Sequence, residues 1–443
     1  MKSKLPFQKL GTRGWQNLGL MIVLIFYGIR IGLEYYSNGV NSVPGDYICF
    51  WTAGRLANEA GYAKVYDLIA LYDMQKSIVP GATVVLPMFY LPVFIFQFQI
   101  LALIPIVLSY WVWTLLNIFI LFMYLRHFLK RIRTSIPSRI LFMIMVAFPV
   151  FQNFYAGQVN LFLLIAIGEF IHALMSSRRI HAGIWLALLL LKPQTLVLIL
   201  PVLLVQKNWK TIVSFGITSF LALLISFVLI GLKGLNGLSV SWLVESIRNS
   251  TISPENMINW RMVALRTGEL TTPIIGWVLA GVGIASTLFF TFALWRKPIT
   301  AESPNYILAW FGTISATNLI AWHSHAHMAV ILIPLLCYLY AWDLKPTKII
   351  NTWCFLPFIS LLAGLLIISV ISLLTPIVLP PTLVDFLLSL GLLIGNFLFL
   401  IWSYLRMKGS LAIVELNPAL PTTNLVPEET THPFFCKLSH KYP

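Results

Sequence analysis

The sequence predicts an all-α polytopic membrane protein. Of its residues 58% are hydrophobic and only 10% are charged, and the mean hydropathy is +0.85. Apolar runs of about twenty residues, the length that crosses a bilayer as a helix, recur from end to end. These runs lack the alternation of barrel strands, and backbone amides in hydrocarbon must bond within their own segment, so the spans are helices. About twelve are expected, with a long first external loop.

Taken in order, residues 1–14 carry Lys2, Lys4, Lys9 and Arg13 ahead of an apolar run with no small-residue cleavage site. That pattern reads as a retained first span. With the N-terminus cytoplasmic, residues 18–33 lead out to a mostly polar loop (35–91), and 106–124 return to Arg126, Lys130, Arg131, Arg133 and Arg139. Residues 140–154 lead out to Gly157-Gln158-Val159-Asn160, and 161–175 return to Arg178-Arg179. Two shorter segments, 183–191 and 195–205, run out to Lys192-Pro193-Gln194 and back to Lys207 and Lys210. Residues 212–230 lead to a second long external loop (232–272), and 274–294 return to Arg296-Lys297. The helix at 306–320 ends at His323-Ser324-His325-Ala326-His327, 328–341 return to Lys345 and Lys348, and the pair 355–374 and 383–404 ends at Arg406 and Lys408.

The run 91–103 is short for a span and contains Gln97 and Gln99, so it reads as a surface-lying or re-entrant piece. Residues 1–408 thus form one transmembrane domain without internal repeats. The tail 409–443, with Pro418, Pro421, Pro427 and Pro433 among polar residues, reads as a poorly ordered cytoplasmic extension.

A net charge of +15 suits nucleic acid or membrane orientation, and the placement of the charges favours orientation. Of the 30 Lys and Arg, 21 fall on the cytoplasmic side, in short loops, the N-terminal segment and the tail, as the positive-inside rule favours. No nucleic-acid partner is expected; the bilayer is. Cys49, Cys337, Cys354 and Cys436 are scattered without a CxxC pair, which indicates neither a disulfide framework nor a zinc site.

The same orientation gathers the unusual polar residues on the external side. Asp46, Tyr90, Gln158, Asn160, Lys192, Gln194, Arg261, Arg266 and three histidines sit at outer helix ends or outer loops, as one external active site requires. Each also has a structural reading. Asp46 suits the cap of a helix starting near Tyr47, which is compatible with a catalytic role. Lys192 suits a snorkelling helix end, although Pro193 and Gln194 make a polar break typical of membrane sites. Gln158 and Asn160 fit an ordinary turn, and Arg261 and Arg266 fit solvated loop charges. Glu169 faces the bundle interior. His323, His325 and His327 offer either a zinc site or imidazoles that hydrogen-bond a phosphate or sugar; no Cys, Asp or Glu neighbours them in sequence to complete a metal site.

The ordered set Asp46-Tyr47-Ile48-Cys49-Phe50-Trp51-Thr52-Ala53-Gly54-Arg55, Val65-Tyr66-Asp67, Phe89-Tyr90-Leu91-Pro92, Gly157-Gln158-Val159-Asn160, Leu191-Lys192-Pro193-Gln194 and Trp209 resembles glycosyltransferase family 87. These are GT-C-type helical-bundle mannosyltransferases that use polyprenyl-phosphate-mannose. The chain departs from the family pattern at Tyr90-Leu91-Pro92, where Tyr-Pro-Pro is usual, and at Met328, where an Asp often follows the last His.

The resemblance implies an inverting, metal-independent hexosyltransferase of the plasma membrane, without cofactor; the charge placement puts both termini in the cytoplasm. Mannose or a similar hexose moves from a polyprenyl-phosphate donor to an external lipid or glycan acceptor, with Asp46 as general base. Lys192, Arg261, His323, His325 and His327 then serve the phosphate. Gln158, Asn160 and Gln194 serve sugar or acceptor hydroxyls, and Tyr90 or Trp51 stacks on a sugar face. The alternative function is a multi-pass transporter or lipid flippase, whose polar residues belong near the midplane.

Overall fold

The computed structural model describes residues 11–38, 43, 45–79, 86–248, 253–372 and 382–416. The first helix, α1 (Thr12–Asn38), is followed by α2 (Gly45–Ala60), a 3-10 turn (Tyr62–Tyr66) and α3 (Leu68–Ile78). The first long loop is therefore largely helical. Asp67 caps α3, its carboxylate accepting from the amides of Ile69 and Ala70. The run after residue 91 breaks into a turn (Pro92–Phe94) and the six-residue α4 (Phe96–Leu101), too short to span the bilayer.

Helix α5 (Ile106–Arg131) is 26 residues, about 39 Å, and carries Lys130 and Arg131 in its last turn. Next come α6 (Ser138–Met145) and α7 (Phe148–Tyr155), a pair bent by 50°. Pro149 opens α7, and the Tyr27 hydroxyl of α1 donates to the Val146 carbonyl at the bend, 2.9 Å. Short apolar helices follow: α8 (Asn160–Met175), α9 (Arg179–Ala187) and α10 (Ile199–Val205), the last two separated by 3-10 turns on either side of Lys192.

Helix α11 (Trp209–Arg248) continues well past the expected end at residue 230, through a kink at Gly231 (φ 60°, ψ −170°). Much of the second expected loop is thus helix. Gly237 allows this outer half to lie on the first loop, since a Cβ there would stand 2.4 Å from the Tyr66 carbonyl oxygen. The chain completes α12 (Trp260–Leu270), α13 (Pro273–Leu294), α14 (Pro304–Ile320), a turn (Ala326–Leu332), α15 (Ile333–Ala341), α16 (Pro346–Ser372) and α17 (Leu383–Leu416). The expected tail thus begins inside α17, and residues 417–443, with Cys436, lie outside the described residues.

Among the described residues six helices are long and apolar enough to cross a membrane, or seven if the bent α6–α7 pair counts as one span. The remaining apolar runs are shorter because polar breaks at 157–160, 192–194 and 322–325 stop them, so length and composition do not reach the expected twelve. The long helices turn apolar side chains outward: Ile29 is 57% exposed, Val228 75% and Val282 62%. That is the surface of a protein solvated by lipid, and the chain is an integral membrane protein. The core lies around α8, α14 and α15, where Phe170, Trp310, Leu335 and Tyr338 are buried. Glu169 of α8 faces this interior and pairs with Arg131 of α5, while His172 Nδ1 and the Tyr338 hydroxyl bond at 2.8 Å beside them.

Candidate active site

Asp46 does not occupy the expected cap position. Helix α2 begins at Gly45, so Asp46 stands within its first turn, where the helix dipole favours a negative charge. Its neighbour Tyr47 is buried and bonds Ser109 of α5 at 2.5 Å, which anchors α2. Gly157 packs against that ring: its φ of +63° suits glycine, and a Cβ would fall 2.8 Å from the Tyr47 Cβ. The Trp113 indole donates to the Gly157 carbonyl at 2.9 Å and fixes the turn. The close approach brings Gln158 to Asp46, and the Gln158 amide nitrogen donates to Asp46 Oδ2 at 2.8 Å.

The other end of the same amide accepts from Lys192. Lys192 has extended backbone (φ −139°, ψ 82°) between two 3-10 turns, and its buried ammonium donates to Gln158 Oε1 at 3.0 Å. A carboxylate, an amide and an ammonium thus form one chain of charge-assisted hydrogen bonds. The Lys192 ammonium also lies 5.9 Å from the centre of the Tyr90 ring. Tyr90 is held from both sides of its backbone: the Tyr66 hydroxyl donates to its carbonyl at 2.6 Å, and the Trp242 indole donates to the Phe89 carbonyl at 3.1 Å.

The histidine segment closes the opposite wall. Ile258 N donates to the Ser324 carbonyl at 2.8 Å, and the Asn259 amide donates to the carbonyls of Ala321 and Trp322, which ties the segment to the start of α12. His325 and His327 stack at 5.5 Å. Asn160 is fully buried behind His327, its amide nitrogen 2.8 Å from His327 Nδ1 and 3.3 Å from the His327 carbonyl oxygen. Because that carbonyl can only accept, the Asn160 NH₂ must face it; His327 Nδ1 then accepts as well, which leaves the proton on Nε2.

These groups surround a cavity of about 620 Å³ lined by Asp46, Tyr90, Gln158, Lys192, Gln194, His323, His325 and His327. Burial pushes the Asp46 carboxyl above its usual range, against the Gln158 hydrogen bond and the Lys192 charge. Burial likewise brings Lys192 down to about 7, with the Asp46 charge opposing. Burial, with Arg261 and Lys192 nearby, lowers His323 to about 4; burial followed by Lys192, His323 and Arg261 lowers His325 to about 3. Near neutrality these two imidazoles are uncharged hydrogen-bonding groups.

Five further expected placements change. Trp51 does not line the cavity; its indole donates to the Ile104 carbonyl at 3.1 Å and holds α2 to the segment before α5. Asn160 stands behind His327 instead of facing a ligand. Gln158 spends its amide on Asp46 and Lys192. Arg261 is buried 4.2 Å from the Trp322 ring centre, so Trp322 lines the cavity and the guanidinium lies behind it. Arg266 is not a free loop charge, since it pairs with Glu255 and Glu269. Among the described residues no group of three His, Cys, Asp or Glu is placed to hold a metal ion.

The cavity wall also contains Arg30, Gln152, Tyr155 and Trp242, which the sequence reading passed over. Arg30 carried a signal, being the only charged residue in the apolar run 18–33. Gln152 likewise interrupts an apolar run.

A lipid-embedded helical bundle holding a half-buried carboxylate, a buried ammonium and neutral imidazoles around one cavity defines a membrane protein with a polar site for a small-molecule group. The family model of glycosyltransferase family 87 matches residues 89–320, about half of the chain, and the chain belongs to that family. It is therefore a glycosyltransferase, with a sugar donor and an acceptor as substrates. No curated protein and no solved structure matches it. The matched residues include Tyr90, Gln158, Lys192 and Arg261; Asp46 and the histidines lie outside them and join the site through the fold.

Proposed function

We propose that the protein moves mannose or a similar hexose, with inversion, from a polyprenyl-phosphate donor to an acceptor on the external face of the plasma membrane, with Asp46 as general base. The observation that carries this reading is the Asp46–Gln158–Lys192 chain along the cavity wall. The acceptor hydroxyl attacks C1 of the sugar, its proton passes to Asp46, and the bond from C1 to the phosphate oxygen breaks. The leaving group is a phosphate monoester, so the step calls for charge stabilisation more than for a general acid. Lys192 supplies the positive charge, and the neutral His323, His325 and His327 supply N–H donors.

The environment of Asp46 supports the role, because a carboxylate whose pKa is raised is a stronger base near neutral pH. Gln158 holds that carboxylate in place and keeps the base and the cation separate, and Gln194 and Tyr90 are left to meet the sugar. Arg261 acts through Trp322.

Asp46→Asn tests the assignment. Turnover of a polyprenyl-phosphate hexose by the purified protein in detergent should fall about 10²–10⁴-fold, with donor binding retained. Full turnover in the variant would remove Asp46 from the mechanism. Turnover by the native protein in detergent, where no sealed compartment exists, also separates transfer from transport.

A further inference from the structure

The cavity extends beyond the Asp46–Gln158–Lys192 chain to a wall built by α1 and α7, and this wall has a different chemistry. Gln152 and Tyr155, three residues apart on α7, share one helix face and both line the cavity. Gln152 is only 8% exposed, and it is part of the cavity lining. A mostly buried amide on a cavity wall offers both a donor and an acceptor to a group that enters the cavity. Arg30 of α1 lines the same wall, its guanidinium 5.4 Å from the centre of the Tyr155 ring.

The charge of Arg30 is already met. Its Nη1 and Nη2 face the two carboxylate oxygens of Asp385 at the start of α17, in a fork. A neutralised guanidinium, an amide and a tyrosine whose hydroxyl bonds Glu34 and Arg30 do not favour a second phosphate. They match neutral hydroxyls, which donate and accept at once. The wall lines the same cavity as Asp46, the group that must take the acceptor's proton.

Resting on the hexosyl-transfer reading, we propose that Arg30, Gln152 and Tyr155 form the acceptor subsite and that the acceptor presents a sugar there. The donor phosphate takes the Lys192 and histidine wall. A sugar hydroxyl bonded to the Gln152 amide is presented to Asp46, and water reaches C1 only when that subsite is empty.

The test uses the full-length protein in detergent with polyprenyl-phosphate-mannose as donor and octyl mannoside, octanol or octyl phosphate as acceptor. Free mannose and mannosylated product are measured together. Octyl mannoside should be the best acceptor of the three. Gln152→Leu and Arg30→Met should raise its KM about tenfold, the effect of one or two lost hydrogen bonds, and raise the ratio of free mannose to product by a similar factor. A purely structural loss would lower both products and leave that ratio unchanged, which overturns the proposal. So would unchanged acceptor KM in both variants, or octanol or octyl phosphate serving as well as octyl mannoside. A native protein that releases mannose to neither water nor any acceptor would instead overturn the underlying hexosyl-transfer reading.

Discussion

Replacing Gln158 by leucine keeps the approximate volume and removes both ends of one amide bridge. The nitrogen of that amide donates to Asp46 at 2.8 Å and so favours the ionised carboxylate; its oxygen accepts from Lys192 at 3.0 Å and so favours the ammonium. Hydrogen bonds to charged groups contribute roughly 1.5–3 kcal/mol, and one pH unit corresponds to about 1.4 kcal/mol. Each titration should therefore move by about one to two units, in opposite directions. Asp46, already raised by burial, rises further, so the acid limb of kcat/KM moves up. Lys192 falls from about 7, so the alkaline limb moves down. His323 at about 4 and His325 at about 3 are already neutral where Lys192 titrates and do not contribute to the alkaline limb. The measurement is kcat/KM for the donor in detergent as a function of pH, and the expected result is a bell narrowed from both sides. Gln158→Glu should behave differently, moving both limbs upward, because a second carboxylate opposes ionisation of Asp46 and supports the ammonium. A Leu variant with a bell of native width, or with both limbs displaced the same way, would refute the bridging role.

Other parts of the fold make further predictions. Gly157→Ala should destabilise the protein by about 2 kcal/mol or more, since a left-handed residue gains a Cβ 2.8 Å from Tyr47; a lowered Tm in detergent checks it. Tyr66→Phe frees the Tyr90 carbonyl and should reduce kcat/KM several-fold, consistent with about 1 kcal/mol for one hydrogen bond, while thermal stability changes little. Glu169→Leu leaves Arg131 without its carboxylate and should cost about 2–3 kcal/mol, below the range for fully buried pairs because Arg131 keeps 30% exposure; adding Arg131→Met should recover part of the loss. Equal stability of the single and double variants would contradict that account.

The membrane class was legible because hydropathy is a local property and bilayer thickness fixes the length of a span. Polar breaks in apolar runs identified Asp46, Tyr90, Gln158, Lys192, Gln194 and the histidines, all of which line the cavity. What each side chain faces was not legible. Asp46 and Gln158 are 112 residues apart, Asn160 and His327 are 167 apart, and Arg30 and Asp385 are 355 apart. The motif Gly157-Gln158-Val159-Asn160 is the turn from α7 into α8, and the left-handed Gly157 with the helix start at Asn160 sends its two polar members to different partners. Packing alone decided that Gln158 bridges Asp46 and Lys192, that Asn160 stands behind His327, and that Trp51 holds a helix in place. The sequence set the solvent of the chain and the residues that resist it; the tertiary structure paired them, because pairing depends on contacts between segments that no local pattern encodes.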